Sequence, residues 1–391
     1  MKINSTKPFA TLIATLLLSA CGSDSSNTQA DNSCKDDEFN FAIQTIAPNY
    51  GASSSVALGC STTGALTDSL LVKEDSDYTV SSGSDSFYHI GRDKIDTIAK
   101  YQFATSSLQD WEFSTNNANE AGSSNPYKVV EVNSTKAYVI RYGKAEVWII
   151  NPSATDEGSF KIGTIDLSHY LGDGETTVNM TDAIISNGQL YIAMQRLGGG
   201  YNYANDSKIA IYNTETDLEI DTTPKDTNDE KAITLVGKNV QSITSKGNSI
   251  FIASRGNYGD DYGVLETINT SNYSLTTLLS GSSEIGHITD VAAISNGHIY
   301  IVGDYSGVIE NVYTYQQRVM DFDVATKTIT ATIEKLTGTH ISDIETGPEG
   351  NLWIASSISS NPGVYKFDPS TNTEIAFIET NLNPNKIIFK Q

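Results

Sequence analysis

Two histidines and three aspartates occupy matching places in the chain and could bind a metal ion. His287-Ile-Thr-Asp290 and His340-Ile-Ser-Asp343 each place a histidine three residues before an aspartate, and Asn179-Met-Thr-Asp182 has the same form with asparagine. Imidazole and carboxylate groups are ligands for zinc and copper. The pattern predicts a divalent metal site at His287, Asp290, His340 and Asp343, with Asp182 as a ligand-binding residue. The alternative is that each aspartate caps a turn of its own backbone.

Four arginines form a second matched set. Each follows an aromatic residue of a repeat by three to five positions: Arg92, Arg141, Arg196 and Arg255. Because guanidinium groups bind carboxylates and phosphates through paired hydrogen bonds, the set predicts an anion-binding surface. The alternative is that these arginines are solvated or paired with aspartates, since the chain has 47 Asp+Glu against 25 Lys+Arg.

Loops rich in tyrosine and glycine accompany these residues. Residues 197–206 and 256–263 contain Tyr201, Tyr203, Tyr258 and Tyr262, and residues 304–317 contain three more tyrosines. Tyrosine offers rigid aromatic area, and the small polar residues around it adapt to a ligand. The loops therefore predict ligand contacts, with ordinary loop composition as the alternative.

Signatures of catalysis are missing from the sequence. It contains no Gly-x-Ser-x-Gly elbow, no phosphate-binding P-loop and no His-Glu-x-x-His. The sequence therefore favours a binding protein over an enzyme. Two alternatives stay open: a lyase that uses His287 or His340, and a purely structural interaction scaffold.

A repeat sets the spacing of all these residues. Aromatic residues recur at intervals of 50, 53, 60, 49 and 53 residues, at Tyr88, Tyr138, Tyr191, Phe251, Tyr300 and Trp353. Each lies in the second strand of a hairpin signature such as residues 180–193, where an Asn-Gly turn separates two apolar strands. A repeat of this length with four strands per unit predicts a β-propeller.

The two ends of the chain supply a further blade. Residues 383–390, NPNKIIFK, resemble residues 125–131, NPYKVVE, which form the innermost strand of another blade. The predicted fold is therefore an all-β, seven-bladed β-propeller with four-stranded antiparallel blades. Its C-terminal strand completes the blade built from residues 37–75, and this closure removes open sheet edges.

The hairpins resemble those of the YVTN-type bacterial seven-bladed β-propellers, whose blades read roughly VAVSPDGxLYVA. The resemblance covers nearly the whole folded region and implies an architecture rather than a function. In such a propeller, the loops that enter each blade and the loops after its second strand open on one face, the top face. The histidines, the arginines and the tyrosine loops are therefore all expected there.

The N-terminus carries an export signal. A cationic start precedes an apolar stretch from Phe9 to Leu18, which is too short for a bilayer span of about 20 residues. Leu18-Ser-Ala-Cys21 resembles the bacterial lipobox, which implies cleavage before Cys21 and diacylation of its thiol. Gly22 in place of aspartate implies delivery to the outer membrane. The expected organisation is a signal peptide at 1–20, a flexible tether at 21–36 and the propeller at 37–391.

The charge of the chain limits its partners. A net charge of −22 argues against nucleic acid and against docking on anionic lipid through basic residues. Lipoproteins of similar anchor and fold cap TonB-dependent transporters. That likeness implies an outer-membrane protein or transporter as a partner. The expected function is the binding of a small anionic or metal-bearing ligand, or docking on such a transporter, through the top face.

We predict that Cys21 is acylated and that Cys34 and Cys60 form a disulfide, since exported chains meet oxidising conditions. The alternative for the pair is a reactive thiol or a metal ligand. Intact-mass analysis of protein from membranes is expected to show lipid on Cys21. Thiol labelling without reductant is expected to find no free cysteine, and a labelled Cys34 or Cys60 would contradict the disulfide.

Overall fold

The computed structural model is a ring of seven antiparallel four-stranded sheets, as the repeat predicts. It describes residues 38–104, 109–198, 205–222, 230–257, 262–358 and 361–391. The predicted signal peptide and tether lie outside these ranges. Within them, no helix is long and apolar enough to cross a membrane.

Each sheet is one blade, and its four strands follow one another from the channel outwards. Blade 1 consists of β30 (Asn383–Phe389), β1 (Phe41–Ile46), β2 (Ser54–Gly59) and β3 (Leu66–Lys73). Blade 2 consists of β4 (Tyr78–Ser82), β5 (Ser86–Gly91), β6 (Thr97–Gln102) and β7 (Gln109–Ser114). Blade 3 consists of β8 (Pro126–Asn133), β9 (Lys136–Arg141), β10 (Glu146–Ile150) and β11 (Lys161–Asp166). Blade 4 consists of β12 (Met180–Ser186), β13 (Gln189–Met194), β14 (Lys208–Asn213) and β15 (Ile233–Thr234).

The other three blades follow the same order. Blade 5 consists of β16 (Val240–Lys246), β17 (Ser249–Ser254), β18 (Val264–Asn269) and β19 (Leu275–Ser280). Blade 6 consists of β20 (His287–Ala293), β21 (His298–Asp304), β24 (Gln317–Asp323) and β25 (Thr328–Thr332), with a separate hairpin of β22 (Gly307–Ile309) and β23 (Val312–Thr314). Blade 7 consists of β26 (His340–Thr346), β27 (Leu352–Ile358), β28 (Asn361–Asp368) and β29 (Thr373–Glu379). Short helices lie at α1 (Glu157–Phe160) and, as 3-10 turns, at Pro48–Tyr50, Ser168–Tyr170 and Glu334–Leu336.

The recurring aromatic residues join each blade to its neighbour. All six are fully buried in the second strands of blades 2 to 7. The hydroxyl of Tyr138 donates to Asp217 of blade 4 over 2.5 Å, and that of Tyr300 donates to Asn372 of blade 7 over 2.5 Å. A buried tyrosine needs such a partner for its hydroxyl. The repeat therefore marks contacts between blades as well as the core within each blade.

The C-terminal strand closes the ring, as predicted. β30 pairs antiparallel with β1, with Ile387 opposite Ile43 and Phe389 opposite Phe41. The ring of Phe41 lies 5.0 Å from that of Trp353 in blade 7. Closure therefore unites the first and the last blade in one apolar cluster.

Asparagines at the entrances to three blades position the loops of the top face. Asn125, Asn179 and Asn239 have φ values of 45°, 51° and 56° and directly precede the innermost strands. Asparagine tolerates this left-handed backbone better than most residues. The carbonyl of Asn179 accepts the N–H of Gln195, and that of Asn239 accepts the N–H of Arg255, each over 3.0 Å. The entrance to a blade and the loop after its second strand are therefore held together at the top.

A chain that ends at residue 382 is expected to aggregate or fail to fold, because β1 would become an open edge in an apolar seam. Circular dichroism and size-exclusion chromatography measure both effects. A chain that lacks only Gln391 is the control and is expected to melt as the full chain does. Unchanged melting of the shorter chain would contradict closure by β30.

Candidate functional site

A cavity of about 900 Å³ lies along the axis of the ring and is lined by the innermost strands of all seven blades. Five of the residues singled out in the sequence contribute to its wall: Asp182, Arg255, Asp290, His340 and Asp343. They come from blades 4, 5, 6 and 7. The fold thus brings together residues that are up to 161 positions apart in the chain.

One side chain from each innermost strand occupies a corresponding position in this wall. Around the ring from blade 2 to blade 1 these are Thr79, Lys128, Asp182, Ser242, Asp290, Asp343 and Lys386. The position carries three carboxylates, two ammonium groups and two hydroxyls. The channel wall is therefore polar and charged at this level, in contrast to the apolar interior of the blades.

The three aspartates each bind the next blade. The carboxylate of Asp182 accepts the N–H of Ile243 over 3.0 Å. Asp290 accepts the N–H of Ile344 over 2.9 Å, and Asp343 accepts the N–H of Ile387 over 2.8 Å. Each of these amides belongs to the innermost strand of the following blade. The aspartates of the repeat therefore join adjacent blades by hydrogen bonds. Neither the metal hypothesis nor the turn-capping alternative predicted these bonds.

Lysines that the sequence reasoning missed neutralise part of this wall. Lys386 lies 2.6 Å from the carboxylate of Asp343 and 2.8 Å from that of Glu345. Lys128 lies 2.5 Å from Asp182. The signal for both was present in the sequence, because the similar segments NPNKIIF and NPYKVVE have lysine at the same place.

Burial shifts the acidity of this cluster. Burial raises the pKa of Asp290 to about 6, although Lys386 opposes the shift. Burial, aided by the charges of Glu345 and Asp290, raises the pKa of Asp343 to about 8 against the same lysine. Burial would lower the pKa of Lys386, but the surrounding carboxylates raise it well above its ordinary value. The wall therefore holds a closely coupled set of charges near neutral pH.

The predicted metal ligands are engaged with other groups of the protein. Among the described residues, no group of three or more histidine, cysteine, aspartate or glutamate side chains is placed to hold an ion. The Nδ1 atom of His287 lies 2.8 Å from the backbone carbonyl of Arg255. The ring of His340 packs 4.3 Å from that of Tyr315, and burial lowers its pKa. Asp290 and Asp343 bind backbone amides of the following blades instead.

Arg141 belongs to the scaffold rather than to a ligand surface. Its side chain is fully buried, and its guanidinium group pairs with Glu120 at 2.6 Å and Glu146 at 3.2 Å. It also lies 4.4 Å from the ring of Trp148. No part of the guanidinium faces solvent, so the anion-binding prediction does not hold for this residue.

The other three arginines differ from one another. Arg92 lies 4.1 Å from the ring of Tyr127 and 3.5 Å from Asp77. Arg196 donates to the backbone carbonyls of Tyr170 and Asp206. Arg255 pairs with Asp304 at 3.3 Å and lines the channel cavity. The four arginines therefore do not form a ring of equivalent anion ligands, and only Arg255 reaches the cavity among the residues that the structure describes.

The tyrosine loops are described only in part. Tyr201, Tyr203 and Tyr258 lie outside the described residues, and Tyr262 lies 6.0 Å from the ring of His287. The third loop forms the hairpin of β22 and β23 on blade 6. Its side chains are unusually exposed for apolar residues: Val308 (71%), Val312 (65%) and Tyr313 (55%).

The cysteine predictions also fall partly outside the described residues. Cys60 is buried at the end of β2, with 2% of its surface exposed. Cys21 and Cys34 lie in the segment that the structure does not describe. Acylation and the Cys34–Cys60 disulfide therefore stay predictions.

Comparisons with known proteins extend the evidence on the fold. No protein-family model and no curated protein matches the chain. A Lactobacillus plantarum protein of known structure is similar with a TM-score of 0.61 and 14% identity, over 90% of this chain and 99% of that one. The dihydro-heme d1 dehydrogenase NirN in complex with DHE gives a TM-score of 0.55 and 8% identity, over 91% and 76%. KlAtg21, in complex with the coiled coil of AgAtg16, gives 0.51 and 11%, over 78% and 84%. At these identities the likeness shows the fold alone.

Lys386→Met is expected to destabilise the ring by about 2 kcal/mol or more, because it leaves Asp343 and Glu345 without their cation at the closing seam. Urea unfolding measures the change. Lys390→Met is the control, since its partner Asp85 is 85% exposed and surface ion pairs contribute little. Equal effects of the two substitutions would contradict the structural role of Lys386.

Proposed function

We propose that the protein is a lipid-anchored propeller of the outer membrane that binds a small polar ligand in the central channel, entered from the top face. One observation carries the proposal: five residues that the sequence singled out for ligand chemistry line a single cavity of about 900 Å³. A concave site with a few convergent polar groups is the usual form of a small-molecule site.

The location within the cell is proposed from the sequence. The lipobox at Leu18-Ser-Ala-Cys21 and the glycine that follows it support an outer-membrane anchor. The polar residues 22–36 would then act as a tether between the lipid and the first blade. Such an anchor is compatible with a propeller that faces either the periplasm or the outside of the cell.

The charged groups of the channel wall restrict the class of ligand that the sequence predicted. All four matched arginines have guanidinium groups engaged with other groups of the protein, Arg255 with Asp304, which weakens the case for a simple anion. The wall instead contains five carboxylates, those of Glu131, Asp182, Asp290, Asp343 and Glu345. We therefore favour a ligand that carries at least one positive charge, whether an organic cation or a metal-bearing complex.

Docking on an outer-membrane protein, such as a TonB-dependent transporter, is the second candidate. The observation that favours it is the hairpin of β22 and β23, which extends from a top-face loop with Val308 and Val312 largely exposed. Exposed apolar patches often serve as protein contacts. The two functions need different residues: ligand binding requires the channel wall, and docking requires the hairpin.

A thermal-shift screen of the full chain with zinc, copper, siderophores, cofactors and small organic ions tests ligand binding. For any compound that raises the melting temperature and also carries an anionic group, Arg255→Gln is expected to weaken binding roughly tenfold, because it removes a charged donor from the wall. Arg196→Asn is the control and is expected to bind normally, since its donors are used by Tyr170 and Asp206 and asparagine suits its φ of 55°. Binding lost equally in both variants would contradict a channel site.

A further inference from the structure

Gln317 presents a hydrogen-bond donor to the channel. It is 7% exposed and lines the cavity at the start of β24. Its Oε1 atom accepts the N–H of Ile341 over 2.6 Å, which fixes the orientation of the side-chain amide. Within the described residues, its amide nitrogen has no hydrogen-bond partner. The nitrogen is not one of the fully buried polar atoms that lack a partner, so it is open to water in the cavity, which a ligand can displace.

Asp290 presents a negative charge deeper in the same channel. Its carboxylate is held by the N–H groups of Val291 and Ile344 and by the side chain of Ser242, and no lysine or arginine contacts it within the described residues. Lys386, the cation that acts on it, already contacts Asp343 and Glu345. One ammonium group therefore serves three carboxylates here, and negative charge is left in excess.

The separation of these two groups can be read from β26. Gln317 binds the amide of Ile341, and Asp290 binds the amide of Ile344, three residues further along the same strand. At about 3.3 Å per residue, the two amides lie up to about 10 Å apart. A bulge between Ile341 and Asp343 shortens this distance. The donor and the acceptor therefore face the channel several ångströms apart along its axis.

We propose that the ligand is a small zwitterion with well-separated charges, such as an ω-amino acid or a dipeptide. Its carboxylate accepts from Gln317 near the top of the channel, and its ammonium group pairs with Asp290 below. This inference rests on the proposed function, because it names the ligand class of the same cavity. The charges of an α-amino acid are too close together to reach both groups.

The acidity of Asp290 adds a pH signature. Because burial raises its pKa to about 6, the carboxylate is ionised above that value and protonated below it. An ammonium group binds the ionised form, so affinity is expected to be retained above pH 6 and lost as the pH falls through it. The neighbouring groups that act on this carboxylate are Lys386, Glu345, Ser242 and the amide of Ile344, and Asp343 of the next blade is coupled to it.

Titration calorimetry of the full chain with four probes tests the proposal. The probes are γ-aminobutyrate, butylamine, butyrate and glycine. Butylamine lacks the carboxylate, butyrate lacks the ammonium group, and glycine carries both charges too close together. γ-Aminobutyrate is expected to bind at least tenfold more tightly than any of the other three, since each lacks one charged contact or the span.

Two isosteric variants test which residue binds the carboxylate of the ligand and which binds its ammonium group. Gln317→Glu keeps the acceptor for Ile341 but replaces the donor with a carboxylate. It is expected to weaken γ-aminobutyrate at least tenfold without weakening butylamine. Asp290→Asn is expected to weaken both amines and to remove the pH dependence near 6. Asp321→Asn is the control and is expected to bind normally, because this carboxylate lies in blade 6 outside the cavity lining and accepts a hydrogen bond from Asn372 of blade 7.

The outcomes separate the ligand class from the proposed function. Equal binding of γ-aminobutyrate and butylamine, or loss of binding in Asp321→Asn, would overturn the zwitterion. A different compound from the screen that binds in the channel and depends on Arg255 would overturn the ligand class and leave the proposed function intact. If neither the screen nor the four probes yield binding, both proposals are wrong.

Discussion

The bond between an aspartate of one innermost strand and a backbone amide of the next is the interaction on which the rest of the structure depends. A propeller has no hydrogen-bonded ladder between its blades, so apolar packing alone would let adjacent sheets slide past each other. A carboxylate that accepts a specific N–H fixes the register between two blades. At the seam, Asp343 performs this task for the strand that arrives last, and Lys386 on that strand neutralises the charge that the task requires.

The same interaction explains why the channel is a chemically active surface. Residues that bond one blade to the next lie on the innermost strands, where they also face the axis of the ring. Blades 4, 6 and 7 use aspartate, and blades 1 and 3 place lysine at the corresponding position. Because these charges are not distributed symmetrically around the ring, different parts of the channel wall favour positive and negative groups of a ligand. The charged residues that join the blades are therefore also the residues that could contact a ligand in the channel.

The sequence was sufficient for the architecture because the architecture is periodic. Tyr138 and Tyr300 recur for a packing reason that every blade shares, and the similarity of residues 125–131 and 383–390 identified the closing strand. The site was predicted less well, since its partners come from different blades. Nothing near Arg141 in sequence reveals that Glu120 will enclose it, and nothing near Asp290 indicates that its carboxylate will reach Ile344. Gln317 was missed because a single glutamine at the end of a loop has no periodic signal.

The pairing of β30 with β1 has a consequence for synthesis. The first blade combines strands from residues 41–73 with β30 from residues 383–389, so its innermost strand is absent until β30 leaves the ribosome. Until then, the strands of the first blade carry an open edge and a partly exposed apolar face. Folding of the ring is thus coupled to synthesis of β30, and a product that stops before this strand would keep an unpaired β1 edge and tend to aggregate rather than form a smaller propeller.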